Sequence, residues 1–205
     1  GFGVFVEEIT DRKRAEERLA RIEGMYRELV QHANSVILRW KRDGTLAFIN
    51  EYGQSLFGYS YKELVGKPVS ILVPEQESSG TDLTTLVRDI VDHPDRHMNN
   101  INENVCKDGR RLWMSWTNKP IFGEDGAVTE ILTVGSDITE LKHAEKFLKQ
   151  SKMTLAEAQR IAHLGSWDWD VKKGDLYWSD EVYRIFGVTR KDYPITYQSY
   201  LTCVH

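Results

Sequence analysis

Hydrophobic and polar positions follow two periods along the chain, one of two residues and one of a helical turn. Between residues 36 and 137, short apolar runs stop at Gly-containing turns, which is typical of β-strands. They predict five strands, at residues 36–41, 45–49, 98–106, 111–121 and 128–137. Short helices are predicted between the second and third strands, after Asn50, after Ser60 and over residues 82–91. This order predicts an α+β domain, with a five-stranded antiparallel sheet and short helices on one face.

The helical period dominates on both sides of this region. Residues 10–31 and 141–162 carry apolar and small side chains at alternating spacings of three and four, as in an amphipathic helix or a short coiled coil. Alanine and serine at seam positions make a weak coiled coil. We interpret both segments as coiled-coil linkers rather than as helices packed only on their own domain.

The chain also repeats itself. VEEITDRKRAEE (residues 6–17) and GSDITELKHAEK (135–146) align Ile9 with Ile138, an offset of 138 − 9 = 129 residues that also carries Trp40 onto Trp169. A period of this length indicates tandem domains, because solenoid units run to about 20–50 residues. The pattern predicts the tail of one unit, one complete unit and the first part of a third.

Composition excludes several classes of protein. A net charge of −4 over 205 residues gives no basic footprint for nucleic acid, and no apolar run reaches the roughly 18 residues of a membrane span. Cys106 and Cys203 lie far apart and match no metal spacing. We expect a cytoplasmic protein with reduced cysteines, no metal site, no nucleic-acid partner and no membrane contact in this segment.

In residues 32–140, three motifs together resemble a PAS domain with its PAC carboxyl-terminal motif. They are INEYGQSLFGYSYKELVGKP, KDGRRLWMSWTNKPI and GSDITE. The resemblance implies the PAS fold, in which short helices and a five-stranded antiparallel sheet enclose a small pocket. It divides the chain into the last strand of an upstream PAS domain (1–9), a linker helix (10–31), a complete PAS/PAC domain (32–140), a coiled-coil linker helix (141–162) and the amino-terminal part of a further PAS domain (163–205).

That last part resembles a domain that lacks its long helix and three strands. We therefore expect residues 163–205 to be incomplete, mobile or supported by a neighbour. The large side chains that we expect not to bury fully are Trp167, Trp169, Trp178 and Phe186.

The resemblance implies which residues line the pocket of the complete domain. The candidates are Met114, Trp116, Asn118, Asn102, Asn104, Ile131, Thr133, Gly135, Leu86 and Ile90. On the strand at 98–106 it also points Asn100 inward, whereas simple alternation would bury Ile101 and Val105. Either the pocket is unusually polar, or a linker helix or second protomer covers the outer face of the sheet. Because Trp113 also needs cover on that side, we favour the covered face.

The cofactor is not identified by the sequence, and we expect none. Haem is one alternative: His93 and His97 follow the long helix, but in haem-binding relatives the ligand lies inside that helix, where this chain has Leu83 and Leu86. The flavin photoadduct is excluded, since residues 66–80 contain no cysteine. FAD bound without a thiol is the other alternative, with Trp116 and Asn118 against its ring, although Trp116 as core packing is favoured.

No catalytic motif for phosphate binding, metalloprotease or nucleophile-elbow chemistry occurs in the chain, so we expect no enzyme in this segment. The resemblance implies a sensory and relay segment that detects a small ligand or redox state. Asp137, Ile138 and Thr139 would pass the signal to coiled-coil linkers, with Thr139 capping the helix. The output would be a histidine kinase, or alternatively a diguanylate cyclase, outside this chain. A ligand-free scaffold that pairs two chains is the rival hypothesis, and a homodimer through linker helices and sheet face is expected in either case.

Overall fold

The computed structural model describes residues 2–191, 195 and 196, with side chains from residue 17 onward and for Lys13. Its helices are α1 (Phe2–Gln31), α2 (Glu51–Phe57), α3 (Tyr61–Leu64), α4 (Leu86–Asp92), α5 (Thr139–Ala162) and α6 (Asp180–Phe186), with a 3₁₀ turn at Val69–Leu72. Its strands are β1 (Val36–Lys41), β2 (Leu46–Ile49), β3 (Asn99–Val105), β4 (Arg111–Phe122), β5 (Val128–Asp137), β6 (Trp167–Asp170) and β7 (Asp175–Trp178). The chain divides into two compact units, with the boundary after Glu140.

The first unit contains a five-stranded sheet in the order β2-β1-β5-β4-β3, and every pair of neighbours is antiparallel. The predicted α+β fold is therefore confirmed. Alternation along β4 shows how the sheet acquires a core face: Leu112, Met114 and Trp116 are buried, whereas Arg111 and Thr117 are exposed. The core formed with the short helices comprises Val36, Leu38, Trp40, Leu46, Ile49, Phe57, Leu64, Val69, Leu72, Ile90, Cys106, Leu112, Met114, Trp116 and Ile131.

Asn50, which follows β2, connects the sheet to α1. Its side chain is fully buried: Oδ1 accepts from the N–H groups of Ile37 (3.0 Å) and Gly53 (3.1 Å), and Nδ2 donates to the carbonyls of Val30 (3.0 Å) and Ser35 (2.9 Å). The predicted cap of α2 is thus also a bond to the last turn of α1. One side chain satisfies four backbone groups that would otherwise be costly to bury.

Two segments differ from their predicted structure. Residues 2–9 were expected as a strand, but they form the start of α1. None of the strands in the described chain pairs with them, and a helix satisfies backbone groups internally where a strand needs a neighbour. The helix expected at 82–91 begins only at Leu86, because Asp82 Oδ1 accepts from the N–H (2.8 Å) and hydroxyl (2.7 Å) of Thr84 and makes a local turn instead.

The second unit repeats the beginning of the first. Strand β7 and helix α6 lie 129 residues after β2 and α2, since 175 − 46 and 180 − 51 both equal 129. Both helices end at a glycine with positive φ, Gly58 at 75° and Gly187 at 70°. The sequence repeat is therefore also a structural one, a β-hairpin followed by a short helix.

Trp178 corrects one expectation about this unit. Trp167, Trp169 and Phe186 are 62%, 37% and 39% exposed, as expected, but Trp178 is only 2% exposed. Its ring stacks on Phe186 at 5.1 Å and meets Tyr183 edge-on at 5.7 Å. The hairpin, its following helix and two residues beyond that helix, Val188 and Ile195, form the cluster that buries this tryptophan.

The linker helices carry exposed apolar side chains. None of the residues of α5 is buried, and in α1 Leu19, Met25 and Leu29 are more than half exposed. In the part of the chain that the structure describes, no helix is both long and apolar enough to cross a bilayer. Whether these helices pair as coiled coils stays a prediction.

An exposed ion pair fastens α3 to the β3–β4 turn and provides a test by pH. Glu63 accepts from Lys107 Nζ and from the N–H and hydroxyl of Ser60, and these bonds lower its pKa from 4.5 to about 2. A lowered folded-state pKa means that the stabilisation is present above pH 4.5 and is lost as pH falls toward 2.

We expect Lys107→Met to raise the pKa of Glu63 toward its ordinary value, because the largest cause of the shift is removed. The measurement is an NMR titration of the Glu63 side chain. Lys62→Met, which removes a neighbouring exposed lysine, should leave the pKa of Glu63 unchanged. A wild-type pKa close to 4.5 would contradict this account.

Candidate functional site

A small cavity lies between the sheet and the segment that packs over it. Its volume is about 40 Å³, room for about three water molecules. It is lined by Leu38, Trp40, Val69, Leu72, Val73, Leu86, Val87, Ile90, Asn100, Asn102, Asn104, Trp116, Asn118 and Thr133. The strands supply all of the polar side chains, and residues 69–90, here called the wall segment, supply six apolar ones.

One half of the polar lining is a hydrogen-bonded chain across β1, β5, β4 and β3. Trp40 Nε1 donates to Thr133 Oγ1 (2.9 Å), and Thr133 Oγ1 donates to Asn118 Oδ1 (2.9 Å). Asn118 Nδ2 in turn donates to Asn100 Oδ1 (2.7 Å) and to the His97 carbonyl (2.8 Å). Side chains 93 residues apart in sequence, Trp40 and Thr133, are thus joined directly.

The other half continues along β3. Asn100 Nδ2 donates to Asn102 Oδ1 (2.7 Å), and Asn102 Nδ2 donates to Asn104 Oδ1 (3.2 Å). Asn104 Oδ1 also accepts from Trp116 Nε1 (3.0 Å), while its Nδ2 donates to the Leu72 carbonyl in the wall segment (2.8 Å). We call the whole chain from Trp40 to Leu72 the amide network.

The amide network has no spare buried atoms and no charge. Throughout the described residues, every buried side-chain nitrogen or oxygen has a hydrogen-bond partner. Asparagine, threonine and tryptophan do not ionise in the physiological range, and the rest of the lining is aliphatic. A charged molecule would therefore lose its hydration without meeting an opposite charge.

The structure brings together seven of the ten predicted pocket residues. These are Trp116, Asn118, Asn102, Asn104, Thr133, Leu86 and Ile90. Met114 and Ile131 are fully buried core residues outside the cavity lining. They share the inward face of their strands, but β4 and β5 extend beyond the cavity, so alternation alone selects too many residues.

Gly135, the remaining candidate, lies under the ring of Trp116. A Cβ atom at this position would come within 2.1 Å of Trp116 Cζ3, so the ring occupies the space that any other residue would fill. Glycine is present because a tryptophan packs on the backbone. Its role is therefore contact with a lining residue, two positions before Asp137.

Sequence reasoning missed part of the cavity. The lining residues that were not predicted are Leu38, Trp40, Val69, Leu72, Val73 and Val87, whereas Asn100, which the resemblance points inward, does line the cavity. Alternation along β1 could have identified Leu38 and Trp40, which are both buried. Val87 lies beside Leu86 on α4, within the predicted helix, whereas Val69, Leu72 and Val73 lie in and after a single 3₁₀ turn that offers no period to read.

The two interpretations of the strand with three asparagines can now be compared. Asn102 and Asn104 are 3% and 2% exposed and face the cavity, whereas Ile101 is 52% exposed. The pocket is unusually polar, which is the alternative that we did not favour. The amides are acceptable there because each is bonded within the amide network. A covering partner on the outer face stays a prediction.

Haem and flavin do not fit the side chains as they are arranged. The cavity of about 40 Å³ is far too small for either ring system, and the inward donors already bond one another. His93 is exposed and His97 half-buried, and neither lines the cavity. Within the described part of the chain, no three His, Cys, Asp or Glu side chains are placed to share a metal ion.

The junction between β5 and α5 is fastened to the neighbouring strand. Asp137 Oδ1 accepts from the Thr139 N–H (2.8 Å), and the Ile138 N–H donates to the Trp113 carbonyl (2.8 Å). The Thr139 hydroxyl accepts from the Trp113 N–H (2.9 Å). Asp137 therefore bonds the first residue of α5, while Thr139, expected as the cap, anchors the helix to β4. Their relay role stays a prediction.

The family follows from comparison with known sequences. The profile of the PAS fold matches residues 24–138, more than half of the chain. The chain belongs to the PAS family. The matched region contains the whole five-stranded sheet, from Val36 to Asp137.

Three curated relatives are sensors or kinases, each 26% identical to this chain. They are the two-component sensor PprA of Pseudomonas aeruginosa (77% of this chain, 16% of that protein), a blue-light-activated histidine kinase of Brucella anthropi (79% and 34%) and the histidine-protein kinase AtoS of Escherichia coli (67% and 20%). The chain thus spans between about a sixth and a third of the length of these relatives.

Solved structures agree on the fold. A PAS domain from Colwellia psychrerythraea matches with a TM-score of 0.50 and 21% identity, over 58% of this chain and 98% of that one. An RNA-binding light-oxygen-voltage receptor matches with a TM-score of 0.52 and 21% identity, over 65% and 38%. At this identity the likeness shows the fold alone.

We expect Gly135→Ala to displace the Trp116 ring and to break its bond to Asn104. Overpacking of this kind costs about 1–3 kcal/mol. The measurement is urea unfolding followed through the amide signals of β5 by NMR, with the Trp116 Nε1–H signal as a local probe.

The matched control is Gly24→Ala in α1, where an added Cβ has nothing within 4 Å. It should leave the Trp116 signal in place and lose no stability. If Gly135→Ala is as stable as the wild type and its Trp116 signal is unmoved, the Trp116 ring does not depend on the absence of a side chain at Gly135.

Proposed function

We propose that this chain is a sensory input and signal-relay segment of a multi-PAS signal-transduction protein, and that its complete PAS domain detects a small uncharged molecule. The observation that carries the proposal is the amide network, a set of buried donors and acceptors around a cavity with no ionisable lining residue. Membership of the PAS family and the similarity to named sensors support a sensing role.

The lining sets the class of ligand. A neutral molecule with a donor and an acceptor can take the place of one amide in the network and leave its neighbours bonded. A hydrocarbon would leave buried amides unpaired, and an ion would have no counter-charge. The volume of about 40 Å³ limits a ligand that enters without moving the walls to a few heavy atoms.

A route from the cavity to α5 passes through Trp116. Its Nε1 is bonded to Asn104 in the amide network, and its ring packs on Gly135 of β5. A ligand that competes for Asn104 would release the Trp116 ring. Because the ring packs directly on the backbone of Gly135, its movement would displace β5. Asp137, two residues later, then passes the change to the first turn of α5. This is a shift between two packings, not a new structure.

The output belongs to the rest of the parent protein. We propose a cytoplasmic histidine kinase, because two of the relatives are histidine kinases; a diguanylate cyclase is the alternative. The coiled-coil linkers would carry the change onward as a rotation or a register shift. This segment itself would have no catalytic activity.

A dimerisation scaffold is the second candidate, favoured by a specific surface. On the outer face of the sheet Ile101 is 52% exposed and Val134 38%, and Phe122 at the end of β4 is 59% exposed. A partner that covered these side chains would remove their apolar surface from water. We propose that a second copy of the chain covers this face, with or without a ligand in the cavity.

We expect formamide to bind in the cavity and formate, its charged counterpart of the same size, not to bind. Formamide should shift the Trp116 Nε1–H and Asn118 side-chain amide signals in a saturable way, because it offers one donor group and one acceptor. Two-dimensional NMR titration of both compounds is the measurement. The indole signal of Trp113, on the other side of β4, is the internal control.

Equal responses to formate and formamide would refute the neutral-ligand proposal. If neither compound shifts the signals and sedimentation equilibrium gives a dimer, the scaffold is the better account. A monomer that binds formamide would instead refute the scaffold.

We expect Asp137→Ala to separate binding from relay. The variant loses the acceptor of the Thr139 N–H, a capping bond that contributes about 1 kcal/mol, while the cavity is untouched. Formamide should still shift the Trp116 signal, but the accompanying shift of the Thr139 amide should disappear. Asp137→Asn keeps an acceptor oxygen and should behave like the wild type. If the Thr139 amide still shifts in Asp137→Ala, Asp137 has no relay role and is only the last residue of β5.

A further inference from the structure

Glu103 is a buried carboxylate on the side of β3 that faces away from the cavity. Its side chain is 4% exposed, and Oε2 accepts from the Ser78 N–H (2.8 Å), the Ser78 hydroxyl (2.9 Å) and Arg111 Nη1 (2.8 Å). Burial raises the pKa of Glu103, but the hydrogen bonds from Arg111 and Ser78 outweigh burial, and the pKa lies below its ordinary value. The group is therefore ionised and has three strong donors.

Glu103 and its neighbours bind residues 76–78, the middle of the wall segment. Arg111 Nη1 also donates to the Gln76 carbonyl (2.8 Å), and the Glu103 N–H donates to Glu77 Oε1 (3.3 Å). Residues 76–78 are thus fastened along the edge strand by one ion pair and its neighbours. The two ends of the same segment carry the six apolar side chains of the cavity.

The wall segment is held from both faces of β3 by adjacent residues. Glu103 binds Ser78 on the outer side, and Asn104 donates to the Leu72 carbonyl on the cavity side (2.8 Å). Successive side chains of a strand point to opposite faces. Glu103 and Asn104 therefore bind the wall segment from opposite faces of β3. If the Glu103–Ser78 contact breaks, the Asn104 bond to the Leu72 carbonyl still holds the segment. That bond belongs to the amide network, where a ligand can compete for Asn104.

We propose that solvent gains further access to the amide network when the wall segment lifts away from β3, and that Glu103 is the latch that holds this segment on the strand. The inference deepens the proposed function, because a ligand needs a route to the amide network and this route passes between two elements that share one buried ion pair.

The test uses hydrogen exchange of the full chain without any ligand. The indole Nε1–H groups of Trp40 and Trp116 lie in the amide network, so their exchange with deuterated water reports access to the cavity. In Glu103→Gln, which keeps the shape of the side chain and removes its charge, we expect these two protons to exchange about 10- to 100-fold faster. The amide of Leu83 in the wall segment should accelerate in parallel.

Two controls separate a latch from a general loss of stability. Glu63→Gln breaks another carboxylate–cation pair, the exposed one with Lys107, and should leave the indole exchange unchanged. The amide of Leu132 in β5 should exchange at the wild-type rate in Glu103→Gln, since the sheet itself stays intact. Ser78→Ala removes one of the three donors and should accelerate indole exchange by a smaller factor, which supplies a milder variant if Glu103→Gln fails to fold.

Unchanged indole exchange in Glu103→Gln and Ser78→Ala would overturn the latch. So would an equal acceleration of the Leu132 amide, which would mean that the whole sheet opens. Because no ligand is used, failure of formamide to bind would count against the proposed function alone, and the exchange rates would still decide the latch.

Discussion

The requirement that buried amides be hydrogen-bonded governs this PAS domain. Three asparagines on β3 and one on β4 face the core, and each would destabilise the fold if left unpaired. They are paired mainly with one another, with the Trp116 indole and with Thr133, which in turn accepts from the Trp40 indole, so the network joins four of the five strands and the wall segment. The cavity lies between this network and the apolar side chains of the wall segment.

The same requirement couples the cavity to the end of the sheet. Trp116 satisfies Asn104 with its indole nitrogen, and the bond fixes its ring against the bare backbone of Gly135. Asp137 ends the same strand as Gly135 and Thr139 begins α5. The two are bonded to each other, and Thr139 is bonded to β4, so the path from a buried amide to the first turn of α5 consists of direct contacts. Tight packing transmits small displacements because it leaves no space to absorb them.

The sequence was sufficient for elements that depend on local chemistry. Alternation and Asp-Gly turns predicted all five strands, and Asn50 and Ser60 marked two helix starts, because turns and caps are decided within a few residues. It was insufficient where distant residues decide. Residues 2–9 read as a strand, but no strand in the described part of the chain pairs with them. Trp178 packs in a cluster that extends to Ile195. The wall segment joins the cavity through bonds such as Asn104 to Leu72, 32 residues apart.

Asn50 extends the argument to the helix that precedes the domain. Through four bonds it joins the last turn of α1 to the start of β1 and to α2. Strand β1 pairs with β5 so that Val36 lies opposite Gly135, the residue on which Trp116 packs. The end of α1 and the start of α5 are therefore connected to one pair of strands at the same end of the sheet. In the proposed relay, a displacement of that pair would act on both helices.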